Sequence, residues 1–260
     1  MTTTAEPRRV ELVDLTDEEV AVLATADGPV VLPYLGTLDD EQVATATTTA
    51  YRSLVARGLL TAPTPQEARE AARTSTARGE ERVAYPVQMP ETLAHLLRLR
   101  AGASTVVCVS VATALGAEYR YAHVVDDVAL VEEVTGTGLH RFSLVDVADL
   151  PPVVEAWVLH PEATPGTGEE IVQLPAPQGD PDPTPPDELL ELLGSALVRA
   201  DLVVRRVGED EPELLGVFSG PAGTWTSHSR FRSAAPVVIR PATPDDVRDH
   251  VRVALAGEPT

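Results

Sequence analysis

One plan occurs twice along this chain and constrains its fold more than any other feature. Phe142-Ser143-Leu144-Val145-Asp146-Val147-Ala148-Asp149-Leu150 and Val237-Val238-Ile239-Arg240-Pro241-Ala242-Thr243-Pro244-Asp245 both run from an apolar strand, through a short acidic or Pro-bearing cap, into an amphipathic helix. Each copy closes a series of short strands. Runs rich in β-branched residues and divided by turn residues read as antiparallel meanders. The first comprises residues 105–111, 118–125, 128–134 and 139–145, with Asp126-Asp127 as a tight turn. The second comprises 202–207, 213–219, 224–229 and 237–240, with Gly220-Pro221-Ala222-Gly223 as its turn. A helix carrying Trp157 follows the first meander, a helix over 188–198 precedes the second, and another runs from Pro244 to Leu255. The fold class expected is α+β: a mixed, mainly antiparallel sheet with flanking helices, in two quasi-symmetric halves that share one sheet or two abutting sheets. The bland alternative is that many α+β domains end in this way without internal symmetry.

The rest of the chain fits around that frame. Residues 10–62 read as helices: Thr16 is an N-cap candidate ahead of Asp17, Glu18 and Glu19, and Gly28-Pro29 stops the first helix. Asp39 or Asp40 opens a second helix that ends at Gly58, placed to take the left-handed conformation. Residues 64–82 read as a mobile Glu/Arg/Thr stretch, and a further helix starts at Pro90 or Glu91. Residues 161–186 hold eight prolines and read as a linker in which only residues 170–174 suit a short strand. The division is therefore one domain over 1–260, made of an N-terminal half (1–160), the linker (161–186) and a C-terminal half (187–260).

Charge and composition narrow the function. The formal net charge is −20, which repels nucleic acid and anionic membranes, and no apolar run is long enough to span a bilayer. One cysteine, Cys108, excludes an intrachain disulfide; its place in an apolar run reads as a small core residue. With no signal-like segment at the N-terminus, a cytoplasmic protein is expected.

A search for chemistry returns little. No P-loop, dinucleotide fingerprint, nucleophile elbow or zinc-ligand pair is present, and the six histidines show no metal-ligand spacing. His123 and Asp126 are close enough in sequence to pair across a turn. The acid pairs Asp39-Asp40, Asp126-Asp127, Glu132-Glu133 and Asp245-Asp246 read as sitting where turns and helix starts favour carboxylates. Neither catalysis nor a cofactor is expected. A winged-helix transcriptional regulator is the alternative reading: residues 41–60 would be its recognition helix, although they supply only Arg52 and Arg57 behind an acidic N-terminal tip.

The order of elements resembles the EspG family, cytosolic chaperones of type VII (ESX) secretion in actinobacteria. The resemblance is carried by Leu15-Thr16-Asp17-Glu18-Glu19-Val20, Leu32-Pro33-Tyr34-Leu35-Gly36, Leu54-Val55-Ala56-Arg57-Gly58-Leu59-Leu60 and Pro90-Glu91-Thr92-Leu93-Ala94-His95-Leu96-Leu97. Near the C-terminus it rests on Gly216-Val217-Phe218-Ser219-Gly220-Pro221-Ala222-Gly223-Thr224-Trp225 and on the strand and helix from Val237. It implies a fold of two quasi-symmetric halves and no catalytic residues. It also implies a partner: a helical secreted substrate of PE/PPE or related type, kept soluble before export. The family's partner surface, a sheet loop and a C-terminal helical region, falls here on Asp126 and Asp127 and on Leu189, Leu192 and Leu193 of the 188–198 helix. Those three leucines serve the core or a partner, and their spacing favours the core.

Overall fold

A computed structural model describes residues 8–23, 30–78, 87–113, 116–173, 186–208, 212–230 and 236–256. The elements, in order, are β1 (Arg9–Thr16), α1 (Asp17–Leu23), α2 (Asp40–Ala56), α3 (Pro65–Arg78), α4 (Glu91–Ala101), β2 (Thr105–Thr113), β3 (Gly116–Val125), β4 (Val128–Val134) and β5 (Leu139–Asp146). After these come α5 (Leu150–Val158), β6 (Ile171–Gln173), α6 (Asp187–Ser195), β7 (Val198–Arg206), β8 (Glu213–Gly220), β9 (Gly223–Arg230), β10 (Val237–Ala242) and α7 (Pro244–Ala256). All ten strands form one sheet in the order β1-β5-β4-β3-β2-β7-β8-β9-β10-β6. The α+β class expected from the meanders is what the chain adopts. The expectation of one sheet or two resolves to one, joined at its centre by β2 and β7, which pair antiparallel from Thr105 opposite Arg206 to Val111 opposite Ala200.

The chain groups into two compact units, residues 15–101 and residues 1–14 with 102–260. In the smaller unit the local signals work as the sequence suggests. Thr16 and Glu19 form a reciprocal cap at the start of α1, with Glu19 N–H donating to Thr16 Oγ1 at 3.3 Å and Thr16 N–H to Glu19 Oε2 at 3.2 Å. Asp39 caps α2 in a box with Gln42, and Gly58 closes that helix at φ +70°. Glu19 is 2% exposed and also accepts from Ser53 Oγ at 2.8 Å and Arg57 Nη1 at 2.6 Å, so it ties α1 to the end of α2. Two expectations need correction. Residues 9–16 form a sheet strand rather than the start of a helix, and residues 65–78, read as mobile, form α3. That helix starts at a box in which Thr64 N–H and Oγ1 both donate to Glu67. Gly28 and Pro29 lie outside the described residues.

In the larger unit the sheet carries helices on both faces. Its main core takes Val107, Val109 and Val111 of β2, Leu202 and Val204 of β7, and Leu215 and Val217 of β8 on one face. Val154, Trp157 and Val158 of α5 cover these together with Val247 and Val251 of α7. Burying side chains of this size stabilises by about 1.5–3 kcal/mol each relative to leaving them in water. Phe218 and Trp225, directly opposite one another on β8 and β9, point to the other face and pack with Ile239 against Leu189, Leu192 and Leu193 of α6. The period-2 alternation of the strands thus sorts two cores onto the two faces.

Residues 161–173, read as part of a linker, are anchored as far as they are described. Thr164 N–H donates to Gly220 O at 3.2 Å, Thr224 Oγ1 donates to Thr164 O at 2.8 Å, and Gly166 N–H donates to Ala242 O at 2.8 Å. The segment then enters β6, the strand expected within 170–174, which pairs with β10 at the sheet edge. The remainder of the Pro-rich stretch, 174–185, lies outside the described residues.

Candidate partner-binding site

Asp126 and Asp127 connect β3 to β4 as a two-residue hairpin, with Val125 paired to Val128. Asp126 sits at φ 53°, a left-handed conformation that Asp tolerates better than bulkier residues, and both side chains are exposed. Val147 N–H donates to the Asp127 carbonyl at 2.9 Å and ties the turn to the start of α5. The result is an anchored acidic knob at the end of the hairpin.

Helix α6 divides its leucines. Leu189 and Leu192 are 6% and 5% exposed and Leu193 is partly buried, all three against the sheet, so the core role that their spacing favours is the one the structure shows. The exposed leucines are ones the sequence reading passed over: Leu190 at 49% and Leu197, just past the helix, at 61%. Leu190 is on α6, and Leu197 lies beyond its end, in the two-residue link to β7. The turn and the helix do not form a single patch. Val125 and Val128 lie at the Thr105 and Arg206 end of the central strands, whereas α6 feeds into β7 at Val198, the far end.

Beside α6 lies a groove of about 800 Å³. One wall is the segment from Thr167 to Val172 leading into edge strand β6, the other is Glu188, Glu191 and Ser195 of α6, and Trp225 and Leu192 supply apolar floor. Four carboxylates line it (Glu169, Glu170, Glu188 and Glu191) and, among the described residues, no basic residue does. Arg240 reaches Glu170 from outside the lining at 2.8 Å, with both side chains more than half exposed. Val172 leaves 48% of its surface open along the edge strand. An apolar floor between acidic walls, on rigid elements, suits binding.

A second cluster was missed by sequence reading, which placed Glu132-Glu133 with the acid pairs of turns and helix starts, whereas both lie within strand β4 and Glu132 is buried. His123 of β3, Glu132 of β4 and His140 of β5 lie on one face of adjacent strands, with His123 Nε2 2.9 Å from Glu132 Oε2 and His140 Nδ1 2.7 Å from Glu132 Oε1. The three are at most 1% exposed, so nothing in solution reaches them in the folded chain. His123 therefore pairs with Glu132 across the hairpin and not with Asp126. A strand register placing 123 beside 130 and 132 beside 142 would have been needed to see this, and spacing along the chain does not supply it. Cys108, expected as a buried core residue, is partly buried. Burial, with some help from the charge of Asp201 and against a hydrogen bond with Tyr121, pushes its thiol up to about 11.

The recognition-helix reading of 41–60 gains no support. The strand β1 precedes that region, and the tip of α2 is capped by Asp39 with Asp40 and Glu41 in its first turn. No helix among the described residues is long and apolar enough to cross a membrane.

No protein-family model matches the chain, and no curated protein matches it. Fourteen chains of solved structures do. One is EspG5, the chaperone of the Mycobacterium tuberculosis type VII secretion system, solved in complex with a PE25–PPE41 dimer. The match covers 95% of this chain and 96% of that one, with a TM-score of 0.50 and 13% sequence identity. At that identity the likeness is one of fold, and it extends from end to end.

Proposed function

We propose that this protein is a cytosolic chaperone-like adaptor that binds a helical type VII secretion substrate of PE/PPE or related type and keeps it soluble before export. The observation that carries this reading is the end-to-end correspondence with EspG5, a chaperone held in its structure against a PE–PPE dimer. The site chemistry agrees with a role in binding rather than catalysis: the exposed features are an acidic knob, an exposed pair of leucines and an acid-lined apolar groove. The contacts proposed are Asp126 and Asp127 on the hairpin and the outer side of α6. On that helix Leu189 and Leu193 support the surface from beneath, Leu192 reaches the groove and Leu190 faces the partner, as does Leu197 in the link that follows.

The test is co-expression with a PE–PPE-type pair encoded in the same genome, followed by size exclusion with light scattering. Co-elution of all chains as one soluble complex, with the pair aggregating in the absence of this protein, is the result expected. Separate elution of a folded pair and a folded adaptor, for every pair the genome encodes, would overturn the reading.

A further inference from the structure

The groove between α6 and β6 has a chemistry more specific than "apolar". We infer that it receives a cationic amphipathic helix, one whose apolar side chains reach Trp225 and Leu192 while Lys or Arg residues on its flanks meet Glu169, Glu188 and Glu191. The inference rests on the adaptor reading and names the kind of client segment that this part of the surface selects.

Charge is the first argument. Both walls carry carboxylates; among the described residues the lining holds no cation, and of its four carboxylates Glu170 pairs with a neighbouring arginine, Arg240. Closing such walls over a neutral or acidic segment brings like charges into a partly desolvated space, whereas a cationic one relieves them. The second argument is shape. A groove of about 800 Å³ is in the range of sites that take several side chains, with an aromatic residue in the floor as an anchor. Its walls are a helix packed on the sheet and a strand paired to β10, so the groove is preformed. A helix laid in a preformed groove, read through anchors on one face, is a recurring mode of recognition.

The probe is a synthetic amphipathic helix of about 18 residues, long enough to hold helical structure, with leucines on one face and lysines on its flanks. A counterpart carries glutamate in place of lysine. Trp225 is the reporter, because the other tryptophan, Trp157, is 5% exposed in the opposite core. The lysine peptide is expected to change the fluorescence and to bind more weakly as salt rises, and the glutamate peptide to do neither. Trp225→Phe should abolish the change with binding retained by anisotropy. Glu188→Gln with Glu191→Gln should weaken binding at least about fivefold, as removal of two rim charges implies. Val172→Ser should weaken it through lost apolar contact. Glu162→Gln with Glu213→Gln removes the same charge outside the lining and should leave the affinity unchanged. Equal losses in the two double variants would show a general polyanion effect and overturn the inference, as would binding unaffected by Glu188→Gln with Glu191→Gln. If a PE–PPE-type pair co-elutes equally well with that groove variant, the adaptor reading stands and the groove assignment falls. If the peptide binds in the groove and no client co-elutes, the groove assignment stands and the adaptor reading falls.

Discussion

Glu132 is the side chain whose loss should be felt most. Its two oxygens are the partners of His123 Nε2 and His140 Nδ1, and all three groups are sealed from water. Glu132→Ala would take from each of two buried imidazoles its carboxylate partner. Leaving buried polar groups short of a partner costs about 1–3 kcal/mol for each, so the unfolding free energy obtained from a urea titration should fall by an amount of that order. Glu132→Gln keeps one acceptor and the shape, and should cost visibly less; equal losses for the two variants would mean that packing and not hydrogen bonding is what the site supplies. Cys108 gives a second expectation at this scale. A thiol raised from 9.0 to about 11 is almost wholly protonated at neutral pH, and the thiolate is the reactive form. Alkylation in the native state should be markedly slower than in urea and should speed up as pH rises towards 11. Mass spectrometry of iodoacetamide-treated protein reads both rates. Native labelling as fast as in urea would mean that the strand opens locally.

At the scale of elements, the strap from Thr164 to Gly166 is what brings β6 to its place beside β10. Gly166 is required there because a Cβ would lie 2.0 Å from the carbonyl oxygen of Thr224. Gly166→Ala must therefore displace backbone, at an expected cost of about 1–3 kcal/mol, and the amides of Thr164 and Gly166 should lose hydrogen-exchange protection while those of β2 and β7 keep theirs. A crystal structure or exchange profile indistinguishable from that of the native chain would refute the placement of the strap. This element also shows where the sequence was legible and where it was not. Strand β4 and the hairpin at Asp126 could be read to the residue, because β-branched runs and a two-residue turn leave few alternatives. The caps at Thr16 and Asp39 were legible for the same reason, each being a short-range signal complete within four residues. The strap was not, since its bonds reach to Gly220, Thr224 and Ala242 and proline density masks an ordered path. Strand β1 was hidden because Val10, Leu12, Val13 and Leu15 fit two periods and run directly into the helix capped by Thr16. Helix α3, with a single buried residue, Ser75, has no apolar face to read. In the candidate site, α6 could be found by its leucines but not their outward members, because helical spacing alone does not say which side the sheet covers.

For the molecule as a whole, the decisive feature is that the seam between the meanders is a strand pair and not a linker. β2 and β7 face each other along nearly their whole length, and the helix that ends the first meander does not stay on it: α5 packs on β7, β8 and α7 as well as on β2. The element order on either side of the seam repeats, from edge strand through meander to closing helix, which makes the halves look separable in sequence. The packing says otherwise. A chain cut after residue 160 would keep α5 while losing Leu202, Val204, Val217 and Val251 from beneath it, and would expose the whole edge of β2. A long apolar strand edge seeks another strand, and the nearest substitute for β7 is β2 of a second copy, offered antiparallel as β7 is. Residues 1–160 expressed alone should therefore appear in size exclusion with light scattering as dimers or larger aggregates, and not as monomers. Co-expression with residues 161–260 should restore a single complex with the mass of the intact chain. A soluble monomer of 1–160 with a cooperative urea transition would show that the first half holds its own core, and that the seam joins two finished domains.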